Sequence, residues 1–199
     1  RTAVDFVGAW GSGTGDVPGI AFAAGDGSGA YVDTAELSVS DDAALAAWLA
    51  DPARPKLVHE AKGAMLGCWA RGWDLVGVEL DTLLAAYLLR PDQRTYDLGD
   101  LSVRYLQRDL SAVTQQAGED AQAAFSFDDA PDEAADAALL RARAVFDLSA
   151  AIAGELERRG AGPLLRDVEL PLQRQLAGME RVGVHVDADR LEGLRDEFD

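Results

Sequence analysis

Short apolar runs separated by glycine and aspartate open the chain. Apolar residues at 3–7, 20–24 and 30–34 predict three strands. The tight Gly/Asp turn at 25–29 joins the last two strands and predicts a β-hairpin. The glycine-rich stretch GSGTGDVPG, residues 11–19, is interpreted as a loop. The chain is therefore predicted to begin with β-structure that includes a hairpin.

Helical periodicity follows, interrupted by short apolar strands. The run 40–52 predicts a helix that Ser40 caps and Pro52 ends. Asp81 is the predicted N-cap of a later helix, which Pro91 ends. The predicted elements after the first helix are strand 56–59, helix 61–71, strand 75–80, helix 81–91 and helix 97–106. This order predicts an α/β layer fold with a mixed sheet and flanking helices.

The last third of the chain is predicted to be helical. A long helix extends from about Ala134 to Arg159, where Gly160 closes it. A second helix follows Pro163 and carries an apolar stripe. The stripe consists of Leu165, Val168, Leu172, Leu176 and Met179.

The break between Gly160 and Pro163 is the predicted domain boundary. It divides the chain into a domain over residues 1–160 and a fragment of a second domain over 161–199. Within that fragment a final helix is expected, with Asp187 or Asp189 as its N-cap.

Composition places the chain among soluble globular proteins and makes it strongly acidic. It has 199 residues, 48% hydrophobic and 27% charged, with a formal net charge of −17. Such a surface repels phosphate backbones, so this segment alone is expected to bind nucleic acid weakly. No Lys or Arg occurs between residues 109 and 140, and the acidic stretch 115–133 is interpreted as a mobile loop. That loop is either a solvated linker or a docking segment.

The residue types that commonly act in catalysis or metal binding form no recognised motif in this sequence. The single cysteine, Cys68, lies in an apolar run and is expected to be a buried thiol in a reducing compartment. His59 and His185 have no Cys or His at ligand spacing, so no zinc site is predicted. The loop at Gly11 lacks the Lys-Ser/Thr of a P-loop and the third glycine of a dinucleotide-binding motif. No apolar run approaches the length of a membrane span.

Two motifs in order give the chain a family resemblance. The run VELDTLLAAYLLRPDQRTYDLGDLSVRYL, residues 78–106, resembles a strand-helix-loop-helix segment of bacterial DNA polymerase I, the family A polymerases. The tail VELPLQRQLAGMERVGVHVD, residues 168–187, is similar to the entry into that family's polymerase domain. The composition, rich in Ala, Arg, Gly and Asp, is typical of an actinobacterial member.

The resemblance implies a fold and a site. The fold is an RNase H-like exonuclease-type domain over residues 1–160, followed by the first helices of a polymerase domain. Proofreading members hold two divalent metal ions with four carboxylates, which activate a water and stabilise the leaving oxygen. The carboxylates come from Asp-x-Glu on the first strand, Asn-x-x-x-Tyr/Phe-Asp, and Tyr-x-x-x-Asp on the last helix.

None of these carboxylates is expected here at its matching position. No Asp-x-Glu occurs in residues 1–20. Glu60 stands at the position of the Asn, and Ala64 at that of the Asp. On the long helix Ala138 takes the Tyr position and Ala142 the Asp position. The resemblance therefore implies a degenerate exonuclease-like domain with a structural role, and no metal or cofactor held by this segment.

The resemblance also implies what the parent protein does. It extends a primer-template with deoxynucleoside triphosphates, uses Mg²⁺ at its polymerase site, and works in the cytoplasm, associated with the nucleoid. This segment would pack on the polymerase domain and have no membrane partner.

Two other functions remain open at this point. One is a free-standing RNase H-like 3′–5′ nuclease with a relocated site, for which the candidate acids are Asp5, Glu60, Asp81 and Asp147. Arg141 and Arg143, which flank Ala142, would disfavour a dication there. The other is an acidic α/β interaction module that uses the loop at 115–133.

Overall fold

A five-stranded mixed sheet forms the centre of the fold. The computed structural model describes residues 1–11, 14–110 and 130–198 of the chain. The strands are β1 (Thr2–Gly11), β2 (Thr14–Ala24), β3 (Gly29–Asp33), β4 (Lys56–Val58) and β5 (Val78–Asp81). Their order is β3-β2-β1-β4-β5, with antiparallel pairs among the first three strands and parallel pairs for β1–β4 and β4–β5. The predicted mixed α/β sheet is confirmed.

Helices cover both faces of the sheet. They are α1 (Val39–Ala50), α2 (Ala61–Ala70), α3 (Thr82–Leu89), α4 (Leu98–Leu106), α5 (Ala130–Arg159), α6 (Gly162–Leu164), α7 (Leu170–Val182) and α8 (Ala188–Phe198). A π-helical turn, Leu165–Glu169, joins α6 to α7. One hydrophobic cluster lies between the sheet and α3, α4 and α5, and a second lies between the sheet and α1, α2 and α7. No helix in the described ranges is long and apolar enough to cross a membrane.

The predicted loop at 11–19 is wrong, because β2 already begins at Thr14. Gly15 of this stretch provides room for a neighbouring helix rather than a turn. A Cβ on Gly15 would come within 2.9 Å of the Gly67 Cα on α2, so the strand can approach the helix only without a side chain. Gly8, at a bulge in β1, would place a Cβ 2.2 Å from the Asp16 carbonyl oxygen. Residues 12 and 13 lie outside the described ranges.

Three predicted boundaries also need correction. Ser38, not Ser40, is the N-cap of α1, because Ser38 has the extended backbone of a cap and its hydroxyl accepts from the Asp41 N–H at 3.2 Å. The strand predicted from residue 75 begins at Val78, since the Val76 N–H donates to the Leu49 carbonyl at the end of α1. Helix α5 begins at Ala130, so the end of the predicted acidic loop is helical; residues 111–129 lie outside the described ranges.

Several end signals are confirmed. Gly160 follows α5 with a positive φ of 67°, the left-handed backbone that glycine adopts readily at helix ends. Asp187 is the cap of α8 rather than Asp189, because its carboxylate accepts from the Arg190 N–H at 2.9 Å.

The predicted stripe after Pro163 is mostly on the surface. Leu165 is buried, whereas Val168, Leu172, Leu176 and Met179 are 44–67% exposed. The opposite side of α7, with Gln173 and Ala177, faces the sheet and α2. Helix α7 therefore has one side packed on the described body and an apolar side that is open.

Candidate functional site

A cleft lies beyond the carboxyl ends of β4 and β5, the edge at which α/β folds commonly place ligands. It has a volume of about 500 Å³ and is lined by His59 and Glu60 after β4, by Leu83 after β5, by residues 94–99, and by Arg141 of α5. The cleft brings together the first turns of α2 and α3, the cap of α4, and one position of α5. It is the candidate site of the fold.

Asp81 organises the base of this cleft. Its side chain is fully buried and accepts four hydrogen bonds. The Glu60 and Ala61 N–H groups donate from the start of α2 at 3.1 and 2.8 Å, and the Leu83 N–H donates from α3 at 2.9 Å. The fourth donor is Gln173 Nε2, at 2.6 Å. The predicted capping of α3 is confirmed, and the same carboxylate also caps α2.

His59 lies beside this carboxylate and lines the cleft. Its Nδ1 shares a hydrogen bond of 2.8 Å with the Thr82 hydroxyl, which is buried. Burial lowers the pKa of His59 below its ordinary value, while the Asp81 carboxylate opposes that shift. The lowered pKa favours the neutral ring, which is suited to a structural hydrogen bond with a hydroxyl.

Asp5 lies on the β1 face that packs against α5. Its side chain is 6% exposed, and both carboxylate oxygens accept from Arg141 Nε, at 3.2 and 3.1 Å. Burial raises the pKa of the Asp5 carboxyl, and the guanidinium opposes that shift. This ion pair links residues 136 positions apart in the chain.

The other two predicted acids behave differently. Asp147 is bound by Arg143 and by Arg108, the latter at 2.6 Å. Although burial opposes its ionisation, these hydrogen bonds lower the pKa of Asp147. Glu60 is exposed and has a left-handed backbone, with φ 59° and ψ 54°. It faces the cleft, and its backbone N–H is held by Asp81.

The three alanines singled out in the sequence are buried and do not form one cluster. Ala64 is 2% exposed and lies in the cluster beneath α2. Ala138 and Ala142 are 1% and 0% exposed and lie in the cluster beneath α5. Methyl groups buried in two separate cores offer no oxygen to a cation.

The side chains around the cleft do not fit the two-metal centre that the family resemblance implies. Hard divalent cations need several carboxylate oxygens converging on one point. Across the described residues, no group of three or more His, Cys, Asp or Glu side chains is placed to hold a metal ion. The carboxylates of Asp5, Asp81 and Asp147 already accept hydrogen bonds from protein donors. Of the four candidate acids, Glu60 is the one that lines the cleft.

Polar contacts also attach α7 to the body, and no sequence motif predicts them. Besides Gln173, Arg174 donates to both oxygens of Asp74 at 2.9 Å and to the Leu75 carbonyl at 3.0 Å. Lys62 of α2 pairs with Glu180 at 2.8 Å. These partners are about 100 residues apart, and no local pattern links them.

Comparison with known proteins agrees with this architecture. A model of the family "DNA polymerase I, ribonuclease H-like domain" matches residues 14–117, more than half of the chain. DNA polymerase I of Mycobacterium tuberculosis is 52% identical over 184 residues, and that of Mycobacterium leprae 50% over 188. Both alignments include 92% of this chain and 20% of the relative, so the chain spans about a fifth of the length of these curated relatives.

Solved structures extend the comparison to the fold. The structure described as "POL domain of Pol1 from M. smegmatis complex with DNA primer-template and dNTP" matches with a TM-score of 0.86 and 45% identity. The match covers 100% of this chain and 31% of that one. A structure described as "apo form of the nuclease" matches with a TM-score of 0.60 and 21% identity over 94% of this chain and 88% of that one, a likeness of fold alone. The chain belongs to the family of ribonuclease H-like domains of DNA polymerase I.

Proposed function

We propose that this chain is a catalytically inactive 3′–5′ exonuclease-like domain that serves as a structural part of a DNA polymerase I. Residues 1–160 form that domain, and residues 161–199 begin the polymerase domain. The parent protein extends a DNA primer-template with deoxynucleoside triphosphates, with Mg²⁺ at a polymerase site elsewhere in the protein. The cytoplasm, in association with the nucleoid, is its proposed location.

The observation that carries the proposal is the state of the carboxylates around the cleft. Ala64, Ala138 and Ala142 supply none, and they are at most 2% exposed. Asp5 is bound by an arginine, and Asp81 by the N-termini of two helices. In-line attack on a phosphodiester by the two-metal route needs carboxylates free to hold the ions. Asp5 and Asp81 are engaged in contacts that stabilise the protein instead.

The structural role is supported by the two sides of α7. Its inner side is attached to the body through Asp81, Asp74 and Lys62. Its outer side presents Leu172 and Leu176, which are 46% and 44% exposed, and Val184, between α7 and α8, is also exposed. Exposed apolar surface of this kind is typical of an interface. The proposed occupant is the remainder of the polymerase, since the curated relatives are about five times as long as the matched region.

The test is degradation of a labelled, mispaired primer-template by the full-length protein that contains this chain. The assay omits nucleotides and is run first with Mg²⁺ and then with Mn²⁺. The primer is expected to keep its length under both conditions, because the described residues form no group of three or more side chains placed to hold a metal ion. Extension of a matched primer after nucleotides are added is the control for an active preparation.

Variants of two candidate acids, Glu60 and Asp147, sharpen the same assay. Metal-dependent shortening that disappears on Glu60→Gln or Asp147→Asn would establish a relocated nuclease site and refute the proposal. Glu180→Gln is the matched control, since Glu180 is an exposed acid that pairs with Lys62 away from the cleft. Shortening that survives all three changes would have to come from a site that uses neither Glu60 nor Asp147.

A further inference from the structure

Asp5 is a buried acidic residue, and its carboxylate needs a compensating positive charge. It lies in β1 between Ala3 and Val7, residues that belong to the apolar cluster beneath α5 or pack against it. A carboxylate so buried is costly unless it is paired and hydrogen-bonded. A fold of this type that binds metals would neutralise such a strand carboxylate with the cations. Within the described residues no cluster of further carboxylates accompanies Asp5 to hold such ions, and Asp5 still requires a positive charge.

Arg141 supplies that charge from α5. Its Nε lies 3.2 Å from Asp5 Oδ1 and 3.1 Å from Oδ2, so one donor is shared between both oxygens. The Arg141 side chain is 50% exposed, which lets the rest of the guanidinium remain hydrated while Nε reaches inward. Arg143, the next arginine on the helix, is committed elsewhere: it donates to the Ala24 carbonyl and to Asp147.

We propose that the Arg141 guanidinium takes the place of a metal ion as the counter-charge of Asp5. It joins β1 to α5 and makes this part of the fold independent of divalent cations. The inference rests on the proposed function, because it explains how the scaffold persists without the ions. Arg141 is a positioning residue in this account: it touches no substrate, and its role is the placement of α5 against the sheet.

A double-mutant cycle in the full-length protein tests the pairing. The variants are Asp5→Asn, Arg141→Gln and the two together, and local opening is followed by native-state hydrogen exchange of β1 and α5 peptides in EDTA. R141Q is expected to raise the opening constant at least tenfold, because it leaves a buried carboxylate without its partner. The double variant is expected to stay within about threefold of wild type, since it leaves no buried charge.

A control and a metal arm complete the experiment. Arg158→Gln, at an exposed position near the end of the same helix, is expected to leave exchange in β1 unchanged. Addition of Mg²⁺ or Mn²⁺ is expected to leave wild-type exchange in these peptides unchanged. The inference is overturned if R141Q behaves like R158Q, if the double variant opens as readily as R141Q, or if metal slows exchange in the wild type.

Different experimental results would refute the two proposals. Metal-dependent primer shortening that maps to the cleft would refute the proposed function. Absence of coupling between Asp5 and Arg141, in a protein that shortens no primer, would refute only the role given to Arg141.

Discussion

Two buried aspartates lie on either side of strand β4, and the protein stabilises them by different means. Asp81, at the end of β5, accepts from three backbone N–H groups and one side-chain amide. Asp5, in β1, is held by one arginine whose side chain is 50% exposed. Backbone donors at helix starts are fixed by the fold itself, whereas a guanidinium is placed by a long and flexible side chain. Asp81 is therefore an integral part of the fold, whereas Asp5 is a buried charge that the fold accommodates by pairing it with Arg141.

The largest effect is expected from Asp81→Ala. The change leaves the first N–H groups of α2 and α3, and the Gln173 amide, without their acceptor in a fully buried place. A loss of about 3 kcal/mol or more in the free energy of unfolding is expected. Urea unfolding followed by far-UV circular dichroism measures it. Asp81→Asn should lose less, because one oxygen acceptor remains; a loss below about 1 kcal/mol for D81A would contradict the structural role of Asp81.

The reactivity of the Cys68 thiol measures local opening around α2. The thiol is buried on α2, and burial raises its pKa to about 12, so the native protein is expected to react slowly with thiol reagents near pH 8. D81A should accelerate labelling of Cys68, because it removes the cap that fixes α2. Arg141→Gln should not, since Arg141 lies on the opposite face of the sheet. Equal acceleration by both variants would mean that the two aspartates are not independent.

A smaller effect, with a distinctive pH dependence, is expected from Asp5→Asn. Burial raises the folded-state pKa of Asp5 above its ordinary 3.8, so the folded protein binds this proton more tightly than the unfolded chain. The contribution of Asp5 to stability is therefore full below about pH 4 and falls as the pH rises through the raised pKa. Asp5→Asn should remove that decline, and its stability relative to wild type should improve between about pH 4 and pH 7. Urea midpoints across this range measure the difference; a relative stability that worsens over the same range would contradict the assignment.

The smallest effect, a gain, is expected at Glu60. Its left-handed backbone is strained for glutamate and easier for asparagine. Glu60→Asn should raise the free energy of unfolding by roughly 0.5 kcal/mol. Glu60→Ala is the matched control, because it removes the charge and keeps the strain. If the alanine variant is stabilised as much as the asparagine variant, the gain comes from charge and not from backbone conformation.

The sequence predicts the elements well and the site only in part. Apolar periodicity and end signals place most helices and strands, and they identify Asp81 as a cap. They fail at GSGTGDVPG, because a glycine that admits a neighbouring helix is indistinguishable in sequence from one that makes a turn. The position of Gly15 against Gly67 becomes visible only in three dimensions.

Long-range partners are the main part that sequence reasoning misses. Asp81 also caps α2 from 20 residues away, Gln173 reaches it from 92 residues away, and Arg141 meets Asp5 across 136 residues. None of these pairings leaves a periodic or local signal. They arise where the sheet brings the strand ends together, and the same juxtaposition decides whether an acid is free to hold a metal or is already bound.

Proofreading turnover is the most direct test of whether this domain has 3′–5′ exonuclease activity. The full-length protein is supplied with a primer-template and only the next correct nucleotide, and the nucleoside monophosphate released per nucleotide incorporated is counted. Nucleotide incorporation is expected without release of monophosphate above the protein-free background, in Mg²⁺ and in Mn²⁺. Monophosphate release that requires metal and disappears on Glu60→Gln would show that the cleft is a working nuclease site, and the account would be wrong.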